Sequence, residues 1–145
     1  KTIKNNLGAV ELINGNVKEA EVLFGAATGA GDEVNYNKGI VAIKSGDYAA
    51  AVNYFGQCNC VNAALANVLA GNNNEALKKL NAENKECPMS YYLKAVIGAR
   101  TNDATAVIEN LRKACSLDGS FKQLAATDME FAKFFENNDF IAITK

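Results

Sequence analysis

Small, bulky apolar and turn-forming residues follow one another along this chain in an order that returns four times. A small residue opens each block, Gly8, Gly39, Ala64 or Ala95, and a turn comes about seven residues later, at Gly15-Asn16, Gly46-Asp47, Gly71-Asn72 and Asn102-Asp103. After each turn stands a small or aliphatic residue and then a bulky one: Ala20 with Phe24, Ala51 with Phe55, Ala76 with Leu80, and Val107 with Leu111. Apolar positions three and four apart on either side of a helix-stopping turn describe a pair of helices. Such a pair cannot bury its apolar face alone, so the units must stack.

The first pair is predicted as a helix over Thr2 to Asn14 and another over Val17 to Ala27, with Gly15 in the left-handed conformation that ends a helix and Asn16 capping the next. The second pair runs from Glu33 to Gln57 around Gly46-Asp47. The third runs through Leu65, Val68 and Leu69 to Gly71, then from Asn74 to about Asn81. A polar stretch, Ala82 to Glu86, leads to Cys87-Pro88, where Pro88 suits the first turn of a helix because its missing donor would be unpaired there. The fourth pair spans Met89 to Leu117. Beyond it, Ser120 with Gln123 and Thr127 with Glu130 have capping-box spacing, which predicts two further short helices. Phe121, Leu124, Phe131, Phe134, Phe135, Phe140 and Ile141 concentrate large apolar groups there, as a cap on a raw helical end would need. The reading is therefore all-α: a single domain over residues 1–145, with helical hairpins over about 1–31, 32–57, 58–86 and 87–118 and a cap over 119–145.

Composition narrows the functions. The chain has 145 residues, 49% of them hydrophobic and only one Pro, as expected of an ordered, helix-rich protein. Its 15 basic and 16 acidic residues nearly cancel and form no cluster, which argues against nucleic acid and anionic membranes as partners. There is no His, so the commonest general base and metal ligand are both missing. No apolar run approaches the roughly 20 residues that cross a bilayer. The chain opens at Lys1, from which we expect a mature or excised piece of something longer.

Tyr36-Asn37-Lys38-Gly39-Ile40, followed by Lys44-Ser45-Gly46-Asp47-Tyr48-Ala49-Ala50-Ala51-Val52-Asn53-Tyr54-Phe55, resembles the tetratricopeptide repeat family. The shared features are a small residue in the first helix, a Gly-Asp/Asn-Tyr turn, and Ala then an aromatic in the second. Leu7-Gly8, Ala20, Phe24 and Ala27 fall at the same spacing, and the likeness extends over about Asn5 to Leu117. It is weaker in the third and fourth copies, and no copy has the Pro that often closes a repeat. The family period is about 34 residues, whereas Ala20 and Ala51 are 31 apart and Ala51 and Ala76 are 25 apart, so the third unit is expected to be tilted or trimmed.

The resemblance implies an α-α superhelix, a tetratricopeptide-like solenoid, whose first helices line a concave side. The family's groove positions fall on Asn5, Ala9 and Leu12, on Tyr36, Ile40 and Lys44, on Val61, Leu65 and Val68, and on Tyr92, Val96 and Arg100. Tyr36 and Tyr92 would be amphipathic anchors, and Lys44 and Arg100 would meet a carboxylate. Asn6 and Asn37 match one position of the family's clamp for a peptide C-terminus, but its basic positions hold Asn5 and Ala9, so a largely apolar mode of recognition is expected. The chain as a whole, with its phenylalanine-rich ending Asp128 to Phe135, also resembles repeat domains of bacterial cell-envelope proteins. That likeness implies a periplasmic or envelope location, with a cytoplasmic one as the alternative.

The four cysteines, Cys58, Cys60, Cys87 and Cys115, fall at helix ends on one edge of the hairpins. They read as small buried thiols filling space between helices. A Cys60–Cys87 disulfide is the alternative in an oxidising compartment, and a four-thiolate zinc site is disfavoured by the wide spacing. Asp47, Asp103 and Asp128 stand where caps are expected, and Ser45, Ser90, Ser116 and Ser120 lack a base of the usual type. The Gly25 to Gly31 stretch lacks the ending of a phosphate loop and reads as a turn between repeats. No catalytic pattern emerges. The expected function is a non-enzymatic scaffold, without cofactor or metal, that presents a helical surface to a protein or peptide. The expected contacts are Tyr36, Asn37, Ile40, Lys44, Leu65, Tyr92, Val96 and Arg100. The alternative is a spacer within a larger envelope protein.

Overall fold

A computed structural model describes residues 1–83 and 86–145. These residues fold as ten α-helices and one 3-10 helix and hold no strand. The helices are α1 (Thr2–Ile13), α2 (Val17–Ala26), α3 (Asp32–Ser45), α4 (Tyr48–Phe55), α5 (Val61–Leu69), α6 (Asn73–Ala82), α7 (Pro88–Arg100), α8 (Ala104–Leu117), α9 (Ser120–Thr127) and α10 (Asn138–Thr144), with the 3-10 helix over Met129–Phe134. The polar stretch expected over 82–86 includes Asn84 and Lys85, which lie outside the described residues. No helix among those described is long and apolar enough to cross a membrane.

The four turns share one backbone device. Gly15, Gly46 and Gly71 have φ of 83°, 81° and 85°, and Asn102, the only described non-glycine residue with positive φ, has 59°. The next residue's N–H then reaches back to a carbonyl five positions earlier: Asn16 to Glu11, Asp47 to Ala42, Asn72 to Asn67 and Asp103 to Gly98, at 2.7 to 2.9 Å. A left-handed residue with this bond ends a helix and turns the chain, and only Gly, or less easily Asn, takes that conformation cheaply. Asp47 and Asp103 then cap the following helices, accepting from Ala50 and Ala106 at 3.1 Å. Asn16 does not cap α2; its side-chain amide donates instead to Glu11 Oε2 at 2.6 Å.

The contacts gather the chain into two compact units, residues 1–76 and 77–145, with the border inside α6. In the first unit α1 pairs with α2 and α3 with α4; α3 also packs on α1, α2 and α5. Gly8 and Gly39 permit the close approach within each pair. A Cβ built on Gly8 would lie 2.6 Å from the Phe24 ring, and one on Gly39 2.6 Å from Phe55. Ala20, Ala51 and Ala76, the small residues that follow the first three turns, are all fully buried.

The second unit is built on the α7–α8 pair. Pro88 opens α7 as expected, while α9 and α10 pack on α8 and the 3-10 helix packs on α7. The tail thus forms three short helices instead of two. Thr127 does not begin the second: Asp128 caps it, accepting from the Glu130 N–H at 3.0 Å. Ser120 lies inside α9, tied to Asp118, and Asn137 starts α10 by accepting from Phe140. Phe131 and Phe140 are the buried anchors, in ring contact at 5.9 Å. Leu124 and Ile141, expected in the cap's core, are exposed, and Ala125 is the buried residue of α9.

The expected free thiols at 58 and 60 are a correction. The structure joins Cys58 to Cys60 in a disulfide with Cα atoms 5.4 Å apart, within the link between α4 and α5. This excludes the Cys60–Cys87 alternative, because each sulfur is already committed. Cys87 and Cys115 are free.

Candidate functional site: the first-helix face

In the first unit, polar side chains tie neighbouring first helices together. Asn37 on α3 donates through Nδ2 to Asn5 Oδ1 on α1 at 3.1 Å, and Asn62 on α5 donates through Nδ2 to the Tyr36 hydroxyl at 2.5 Å. Asn5 is buried, so its hydrogen bond also offsets the cost of removing an amide from water. Asn62 was not among the sequence-derived site residues. Its partner is 26 positions away, and only the stacking of α5 on α3 brings them together.

Tyr36 is held at both ends. Its ring meets Phe55 edge-on at 5.3 Å while its hydroxyl is fixed by Asn62, yet 37% of the residue stays exposed. It borders a cavity of about 620 Å³ at the open end of the α3–α4 hairpin, lined also by Asp32, Glu33, Asn53, Tyr54, Gln57 and Cys58. Ile40 is partly buried against the cluster of Ala42, Ala51, Phe55, Ala63 and Ala66. Leu65 is half-buried and Lys44 is exposed near the end of α3. Acidic side chains thus stand at the start of α3 and a cation at its end, in line with the helix dipole. Beside this face, Lys38 bonds Thr28 Oγ1 at 2.6 Å and lies 5.7 Å from the Tyr54 ring centre.

The second unit treats its equivalent residues differently. Tyr92 is only 5% exposed; its ring packs against Phe121 and Phe131, and its hydroxyl donates to Asp128 Oδ2 at 2.5 Å. Burial first, and then Asp128, hold the phenol well above the ordinary tyrosine range. Val96 is buried, and Arg100 is engaged through two nitrogens by Glu130, at 3.0 and 2.5 Å. That bond raises the guanidinium's already high pKa. The chain's own tail engages the α7 face at Tyr92 and Arg100, so Tyr92, like the buried Val96, serves packing, and Arg100 already has a carboxylate partner. The spacing of Thr127 and Glu130 drew attention to a cap, when Glu130 is the partner of Arg100.

Stacked helix pairs closed by one repeated turn define an all-α helical-repeat fold. Within it, the family model described as tetratricopeptide repeat matches residues 32–64, which form α3, α4 and the start of α5, and this segment is a tetratricopeptide repeat. Such repeats generally mediate protein–protein interactions. No curated protein matches the chain.

Proposed function

We propose that the chain is a non-enzymatic scaffold that receives a peptide or a helix of another protein along α3, on the face of the first unit. Tyr36, Ile40 and Leu65 supply the apolar contact, Asn37 stiffens the floor through Asn5, and Lys44 receives a carboxylate. One observation carries this reading: Tyr36 is a partly exposed aromatic immobilised by Phe55 and Asn62. A residue fixed before binding loses little rotamer freedom on contact, and rigid aromatics of this kind dominate interface energies. The contacts expected from α7 are not part of the proposal, because Asp128, Glu130 and Phe131 hold that face.

The test compares the chain with its Tyr36→Ala and Leu65→Asp variants. A photo-crosslinker placed at position 40 is expected to trap a discrete partner, and both variants are expected to lose it while far-UV circular dichroism stays unchanged. Trapping that persists in folded variants would remove α3 as the binding face.

A further inference from the structure

The helix α1 is apolar on two opposite faces. One packs inward: Gly8 lies under the Phe24 ring, and Leu12 sits against the cluster of Ala20, Phe24 and Val41. The other points to solvent and carries Ile3, Leu7, Val10 and Ile13, exposed by 75%, 50%, 51% and 85%. Steps of three and four residues place these side chains in one stripe along the helix. A helix apolar on both faces ordinarily belongs between two neighbours, and a contiguous exposed apolar stripe marks an interaction surface.

The charges beside the stripe select the occupant. Lys4 and Glu11 are seven residues apart, two turns along one flank, while the other flank carries the uncharged Asn6 and Ile13. When two identical helices pack antiparallel, like flanks meet and each charge faces the opposite end of its partner. Lys4 of one copy then stands beside Glu11 of the other, twice over. Parallel packing would set the charged flank against the uncharged one and form neither pair. Glu11 already accepts from Asn16 through Oε2, and a carboxylate has capacity for further donors. We infer that a second copy of this chain covers the outer face of α1, as an antiparallel, two-fold dimer with Ile3, Leu7 and Val10 at its centre and Ile13 at its edge.

Sedimentation of the 145-residue chain over a range of concentrations at low salt tests this. A reversible monomer–dimer equilibrium is expected, and Leu7→Asp is expected to abolish it without loss of helicity. Lys4→Glu and Glu11→Lys, each made alone, put two like-charged pairs in the homodimer and should weaken it roughly ten-fold. An equimolar mixture of these two variants places Glu against Lys at both pairs, and its dimer should regain the original strength. Mixing changes nothing within a chain, so recovery cannot come from a repaired helix. A chain that is monomeric throughout, a dimer indifferent to Leu7→Asp, or a mixture as weak as its components would each overturn the inference.

Discussion

Replacing Gly39 by Ala tests the packing argument at its tightest point. In the interior of α3, Ala is preferred over Gly by about 1 kcal/mol, so intrinsic helix preference favours the variant. The added carbon, however, would stand 2.6 to 2.8 Å from three atoms of the Phe55 ring. Carbon atoms settle about 3.5–4.0 Å apart, so the ring must withdraw by about 1 Å. Phe55 is buried and held in a T-shaped contact with Tyr36, which leaves it little room. Overpacking of this kind costs about 1–3 kcal/mol, so after the gain in helix preference Gly39→Ala should lose about 0–2 kcal/mol net. The fourth pair suggests the remedy, since it holds fully buried Ala95 and Leu111 at the matching positions. Phe55→Leu alone should cost about 1–2 kcal/mol through lost volume and lost ring contact. The double variant should be more stable than the sum of the two by over about 1 kcal/mol, because the smaller side chain admits the added methyl. Urea unfolding followed by circular dichroism, with amide exchange read on α3 and α4, measures this cycle. A Gly39→Ala variant stabilised relative to the original, or two changes that simply add, would refute the reasoning.

Three further outcomes are expected. Because burial and Asp128 raise the Tyr92 phenol above its ordinary value, the unfolded chain releases that proton first. The stabilisation is complete below about pH 10 and is lost as pH rises beyond it, by up to about 1.4 kcal/mol per pH unit for this one proton. Stability curves of the Tyr92→Phe variant should be flatter over that range, and curves parallel to the original would contradict the assignment. Asp47→Ala and Asp103→Ala should each cost about 1 kcal/mol, while Asn at either position, which keeps the acceptor oxygen, should retain most of the stability in thermal melts. Burial pushes the Cys115 thiol up, so alkylation at about pH 8 followed by mass spectrometry should mark the partly exposed Cys87 first and Cys115 only on unfolding; equal rates would place Cys115 elsewhere.

Much of the fold was legible because its causes are local. Gly15, Gly46, Gly71 and Asn102 stop helices wherever they stand, and Asp47 and Asp103 each cap the next helix from three residues away. Asn16 misled for an equally local reason, since Glu11 offers its amide a competing acceptor. The candidate face was legible only in part. Family spacing picked out Tyr36, Asn37 and Ile40, but it assigned the same exposure to Tyr92, which the tail covers, and to Val96, which is buried.

The residue pattern by itself determined the helix pairs, their turns, and the small-against-bulky contacts of Gly8 with Phe24 and Gly39 with Phe55. Those depend on backbone geometry and on residues one hairpin apart. Only the tertiary structure decided which first-helix residues remain open. Tyr36 is set by Asn62, 26 positions away, and Tyr92 by Asp128, 36 positions away, and no spacing marks either pairing. Exposure depends on what packs from a distance, and the tail carries a carboxylate and a phenylalanine where the first unit leaves its face to solvent.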